Sequence, residues 1–119
     1  MAIPNLIQIT SVYGKTTSTS LGTAVTTVVS NPTSSNKSYK INVLYISNID
    51  NTSTARVSVD FFRSGNSIRL IDRMEVAPGD TLVAISRDTS IYLEESDSVR
   101  CYADQEGLLH SVMSYEINS

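Results

Sequence analysis

One histidine, His110, one cysteine, Cys101, and the acidic run Glu94, Glu95 and Asp97 are the side chains best suited to chemistry in this chain. His110 lies between Leu109 and Ser111, with no Glu-x-x-His or His-x-x-x-His spacing to build a zinc site. As a general base it would need a nucleophile and an orienting carboxylate, so it reads as a solvent-facing strand residue. Glu94, Glu95 and Asp97, with Asp80 or Asp88, offer the oxygen ligands that calcium takes. They do not form the Asp-x-Asp-x-Asp-Gly run of a calcium loop, and such carboxylates on turns are ordinarily solvated. Two carboxylates can also flank a glycosidic bond. Carbohydrate clefts present aromatic platforms, however, and this chain has no Trp and six Tyr. Cys101 shares strand parity with Val99 and Ala103, the pattern of a small buried hydrophobe rather than a reactive thiol. A lone cysteine also excludes an intrachain disulfide. No catalytic, cofactor-binding or metal-binding residue is expected, and therefore no enzyme and no cofactor.

The elements that would position these residues are strands. About nine runs of Val, Ile, Leu, Tyr, Phe and Thr alternate with Gly, Asn, Asp, Pro and Ser turns. Leu6 to Val12 reads as a first strand closed by Tyr13-Gly14-Lys15, and Thr16 to Ser30 as a polar, β-branched stretch with a bend or bulge at Gly22. Tyr39 to Ile49 is apolar on both faces, with Ile41, Val43 and Tyr45 on one and Leu44 and Ile46 on the other. Ala55 to Arg63 alternates Val57, Val59 and Phe61 with Arg56, Ser58 and Asp60. A Ser64-Gly65-Asn66 turn then returns the chain into Ser67 to Ile71, paired antiparallel. Val43, Tyr45, Val57, Val59, Phe61, Leu82 and Leu93 are the expected core. Two turns echo each other, Ala77-Pro78-Gly79-Asp80-Thr81-Leu82 and Glu94-Glu95-Ser96-Asp97-Ser98-Val99, each placing an Asp just before a strand. The whole chain, 1–119, is expected to be a single antiparallel β-sandwich of about eight or nine strands, jelly-roll or immunoglobulin-like in topology.

Composition narrows the partners. The formal charge is −3, and nine Lys and Arg are scattered among twelve Asp and Glu. No basic stripe exists to displace counterions from nucleic acid. No apolar window approaches a membrane span, and no basic segment precedes an apolar run as in a secretory signal, so the expectation is a soluble product of a cytoplasm. Asn51-Thr52-Ser53 is then a polar hairpin tip rather than a glycosylation site. Ser and Thr make up about a quarter of the chain, but a hydrophobic fraction of 40% argues against disorder. The segment 1–9 is apolar at Ile3, Leu6, Ile7 and Ile9 and contains Pro4. It can serve as an extended inter-subunit arm, or as an ordinary first strand of its own sandwich.

From Ala77-Pro78-Gly79-Asp80-Thr81-Leu82 through Ile91-Tyr92-Leu93-Glu94-Glu95-Ser96-Asp97-Ser98-Val99-Arg100 to Ser114-Tyr115-Glu116, the chain resembles small virion accessory proteins of tailed bacteriophages. The Met-Ala-Ile-Pro-Asn-Leu-Ile opening and the Lys-Ile-Asn-Val strand extend that resemblance, and a Gly is expected in those relatives where this chain has Ser96. The resemblance implies a non-enzymatic capsid decoration (cement) protein on the virion surface. It would bind the major capsid protein between capsomers as a self-associating trimer. A neck or tail component contacting tail or neck proteins is the alternative, and a carbohydrate-binding module a third reading.

Overall fold

The computed structural model of the protein describes residues 11–119, which form nine strands and, among the described residues, no α-helix. The strands are β1 (Val12–Leu21), β2 (Thr26–Ser30), β3 (Ser38–Asn48), β4 (Ala55–Arg63), β5 (Asn66–Val76), β6 (Thr81–Ile85), β7 (Ile91–Leu93), β8 (Ser98–Ala103) and β9 (Leu109–Asn118). One sheet runs β1-β9-β3-β6, with β7 pairing beside β6 along β3, and the other runs β2-β8-β4-β5. Every pairing is antiparallel. This interleaved strand order is that of a jelly roll, which resolves the two topologies left open by the periodicity.

Between the sheets lie Leu21, Ile41, Leu44, Ile46, Val57, Val59, Leu93, Val99, Leu109 and Met113, all essentially inaccessible. Cys101 is buried with them, as its parity predicts. Val57, Val59 and Leu93 take their expected core places, while Phe61 and Leu82 pack against the core half-covered.

Val43 and Tyr45 do not belong to that core. The register between β3 and β9 shifts between Ile41 and Val43, a bulge that takes up Asn42. One extra residue reverses the side-chain alternation. Ile41 therefore shares the inner face with Leu44 and Ile46, and Val43 and Tyr45 turn outward. Tyr13-Gly14-Lys15 likewise forms no turn, because β1 runs through it in unbroken register with β9. The chain breaks after Leu21 instead, at Gly22, where a bend was expected.

Two buried asparagines lock the ends of strands to the two echoing turns. Asn31, just past β2, donates its side-chain amide to the carbonyls of Lys37 (2.9 Å) and Leu93 (3.0 Å). Its backbone N–H donates to Asp97 O and its carbonyl accepts from Ser96 N. Asn48, at the end of β3, donates to the carbonyls of Ser53 and Val76, both at 2.8 Å. Its N–H donates to Asp80 O, and its carbonyl accepts from Gly79 N. Turn position for turn position, the two corners are the same construction. Their third residues, Ser96 and Gly79, both adopt left-handed backbone, with φ of 71° and 77°.

Candidate functional site

The two outer faces of the sandwich differ in chemistry. Across the β2-β8-β4-β5 sheet the outward residues are charged and tied to one another. Arg69 binds Asp60 and Asp72, donates to the Tyr102 hydroxyl at 2.9 Å and lies over the Tyr102 ring. Arg56 pairs with Glu75 at 3.0 Å, and Arg100 stacks on Phe62 with its guanidinium carbon 3.5 Å from the ring centroid. These long side chains lie over the sheet and bury Ser58 and Asp60. The hydrogen bond that Arg69 donates to Asp60, more than any other contact, holds its guanidinium above the ordinary pKa.

Around Tyr45 on the β1-β9-β3-β6 sheet the outward residues are apolar or uncharged polar, and the charged pair Lys40 and Glu116 lies farther along β3 and β9. Val83, Tyr45 and Val112 stand opposite one another on three adjacent strands, with Ser18 next in register. They are 50%, 43% and 39% exposed respectively. Beside them runs a polar row, Thr81, Ser47, His110 and Ser20. Its Ser47 and Thr81 hydroxyls are 2.9 Å apart. An apolar centre with an aromatic residue and an uncharged polar border is the make-up of a protein interface.

The sandwich is also unequally closed at its two sides. Where β1 passes into β2, Leu21, Val28 and Val29 are buried, and Glu106 secures the connection by accepting from Thr23 N (2.8 Å) and Thr23 Oγ1 (2.7 Å). Those bonds hold the Glu106 carboxyl below its ordinary pKa. At the other side, β5 has 11 residues and its neighbour across the core, β6, only 5. Ile68 and Met74 stand opposite Phe61 and Val57 on the inner face, yet they remain 53% and 47% exposed.

The residues singled out for chemistry stand apart. His110 is exposed and lines a shallow hollow of about 240 Å³ with Ser18, Thr19, Ser20, Ser111 and Val112. Its lining supplies hydroxyls but no carboxylate to orient an imidazole. Asp97 is fully buried, held bidentately by Arg63 (2.9 and 2.5 Å) and accepting from Glu94 N at 2.8 Å. Glu94 joins the same guanidinium at 2.8 Å, and Glu95 accepts from Asn36 N. These carboxylates hold a turn, and among the described residues no group of three His, Cys, Asp or Glu could hold a metal. Burial pushes the Cys101 thiol up to about 12, so no thiolate is present near neutrality. Ile3, Pro4, Leu6, Ile7 and Ile9 lie outside the described residues.

Sequence reasoning put Tyr45 in the core because the bulge at Asn42 inverts the parity of β3, and the outward row that Tyr45 forms with Val83 and Val112 was missed with it. Asn31 and Asn48 were also missed. The available signal was an Asn just beyond or at the end of each of two strands, followed within a few residues by a turn.

Neither a protein-family model nor a curated protein sequence matches the chain. A solved structure does match: it comes from the Bacillus endospore appendages, described as a novel family of disulfide-linked pili. The TM-score is 0.53 at 12% identity, over 99% of this chain and 95% of that one. At that identity the likeness is one of fold.

This finding corrects the virion reading. The full-length match leads to a pilus protein, so the capsid decoration protein, its neck or tail alternative and the carbohydrate-binding module are set aside. With them go the major capsid protein as partner and the virion as location. The turns that carried the bacteriophage resemblance are the corner turns of the jelly roll. Asp80 and Asp97 stand where Asn48 and Asn31 close the sandwich, a requirement of the fold and not of a capsid.

Proposed function

We propose that the chain is a non-enzymatic structural subunit that polymerises with copies of itself into a fibre. The observation that carries this reading is the match along nearly the whole of both chains to a protein of disulfide-linked pili. The uncharged face around Tyr45 and the uncovered side at β5 supply surface for such contacts. The charged groups offer little to catalysis, since Asp60, Glu94 and Asp97 are neutralised by arginines. The trimer belonged to the capsid reading and is not carried forward.

One property separates this chain from its structural relative. A single cysteine can link at most two chains, so a disulfide-linked polymer needs at least two per subunit, and Cys101 is buried besides. The polymer proposed here is therefore non-covalent. Sedimentation velocity and negative-stain electron microscopy across a concentration series, with and without dithiothreitol, test the proposal. Fibres or long oligomers unaffected by the reductant are the expected result. A monomer at every concentration overturns the function, and dissolution by the reductant overturns the non-covalent linkage.

A further inference from the structure

We infer that the arm 1–9 of one copy adds as a strand to the free edge of β5 in the next, with Ile3, Ile7 and Ile9 covering Ile68 and Met74. The inference rests on the polymerisation reading and names the contact that would drive it.

Four observations lead to this pairing. Met1 to Thr10 carries no charged residue, so it can be buried without stripping water from an ion. Its apolar residues Ile3, Ile7 and Ile9 share one parity, which gives an extended segment a single apolar face. The strand β5 is at the edge of its sheet, with backbone groups free for a further strand. Its inner face is apolar and uncovered at Ile68 and Met74, the other half of the contact.

Lengths agree as well. A nine-residue arm spans about 30 Å when extended, and β5 has 11 residues. The alternative edges serve less well. β2 and β6 have 5 residues each, and on the longer edge β1, of 10 residues, the positions opposite Met113 and Ser111 are the hydroxylic Thr17 and Thr19. Pro4 lacks a donor, which is tolerated on an edge strand.

The acceptor belongs to another copy because of where the arm leaves its own. Ser11 exchanges two backbone hydrogen bonds of 3.0 Å with Ser119, beside the start of β1. β1 and β6 are opposite edges of one sheet, three strand spacings or about 14 Å apart. Crossing its own domain would consume about half of the arm's reach and leave Ile7 and Ile9 short of β5. An arm at one side and an acceptor at the other make a heterologous, head-to-tail contact, which repeats along a fibre.

The test uses the full chain with pairs of introduced cysteines under mild oxidation, Cys101 being buried. The pairs are Ile7→Cys with Ile68→Cys and Ile7→Cys with Met74→Cys; Ile7→Cys with Val112→Cys and Ile7→Cys with Thr27→Cys are controls on the other sheet's outer face and on β2. The four acceptor positions, Ile68, Met74, Val112 and Thr27, are checked for folding by circular dichroism alongside. A ladder of covalent oligomers on a non-reducing gel is expected for at least one β5 pair. It should form at least about tenfold faster than in the controls, because bound partners meet at millimolar effective concentration. A monomer with an internal disulfide shows the arm on its own β5 and overturns the inference. Ladders in a control but not in the β5 pairs, with fibres still seen for the unmodified chain, overturn this docking and leave polymerisation standing. No ladder together with a monomeric unmodified chain removes both.

Discussion

The corner at Asn31 and the corner at Asn48 share one backbone construction and differ in how their side chains finish it. At Asn48 the turn is Ala77-Pro78-Gly79-Asp80, where proline sets one backbone angle and glycine takes the left-handed position without a steric penalty. Asp80 remains exposed, and the turn holds through its backbone. At Asn31 the turn is Glu94-Glu95-Ser96-Asp97, with neither proline nor glycine. A serine is in left-handed backbone, and the compensation is electrostatic, since Asp97 is buried against Arg63 and caps Glu94 N. The same geometry is reached through backbone preference at one corner and through side-chain bonding at the other.

The largest test of this difference removes the electrostatic support. Arg63→Met leaves the buried Asp97 carboxylate without its cation and should destabilise the fold by about 3 kcal/mol, the lower end for breaking a buried ion pair, because Glu94 N still donates. Asp80→Ala at the other corner should stay within about 0.5 kcal/mol, as for an exposed side chain. Urea unfolding of both variants measures the contrast. Equal effects would show that the two corners are held in the same way.

The contrast also marks what was legible in the sequence. The turn echo, the strand character and the burial of Cys101 follow from local pattern, and the sandwich with them. The identity of the buried carboxylate does not follow. Asp80 and Asp97 occupy equal places in the pattern, and only the tertiary arrival of Arg63 from β4 separates them. Tyr45 illustrates a second limit: its outward direction depends on the bulge at Asn42, which exists only through pairing with β9. Strand periodicity is a local signal, whereas parity across a bulge is decided by the neighbouring strand.

A second test treats the shared part. Asn31→Ala and Asn48→Ala each remove three side-chain hydrogen bonds, two donated to backbone carbonyls and one accepted from Ser35 Oγ or Asp50 N, and each should cost roughly 2–3 kcal/mol, given about 1 kcal/mol or more for each buried partner left unsatisfied. The two values should agree within about 0.5 kcal/mol by chemical denaturation, at the level expected of equivalent sites. A much smaller loss at Asn48 would mean that Pro78 and Gly79 hold their corner without it.

The smallest effect discriminates most finely, because the two corners should respond with opposite sign at the third turn position. Ser96 at a φ of 71° bears the left-handed penalty of an L-residue, about 1–2 kcal/mol. Ser96→Gly removes that penalty but adds glycine's greater unfolded-state entropy, about 0.5–1 kcal/mol. It also gives up the exposed 2.7 Å contact with the Thr33 hydroxyl. The sum is a gain of about 0.5 kcal/mol, or roughly 2 °C in Tm for a domain of this size. Gly79→Ala introduces the penalty at the other corner, and an added Cβ would meet nothing within 4 Å. Its loss of about 1 kcal/mol is therefore one of backbone conformation and not of crowding. Differential scanning calorimetry of the two single variants and the pair checks both signs. If Ser96→Gly also lowers Tm, the Thr33 contact outweighs the backbone relief, and the serine is part of the side-chain bonding that holds the Asn31 corner.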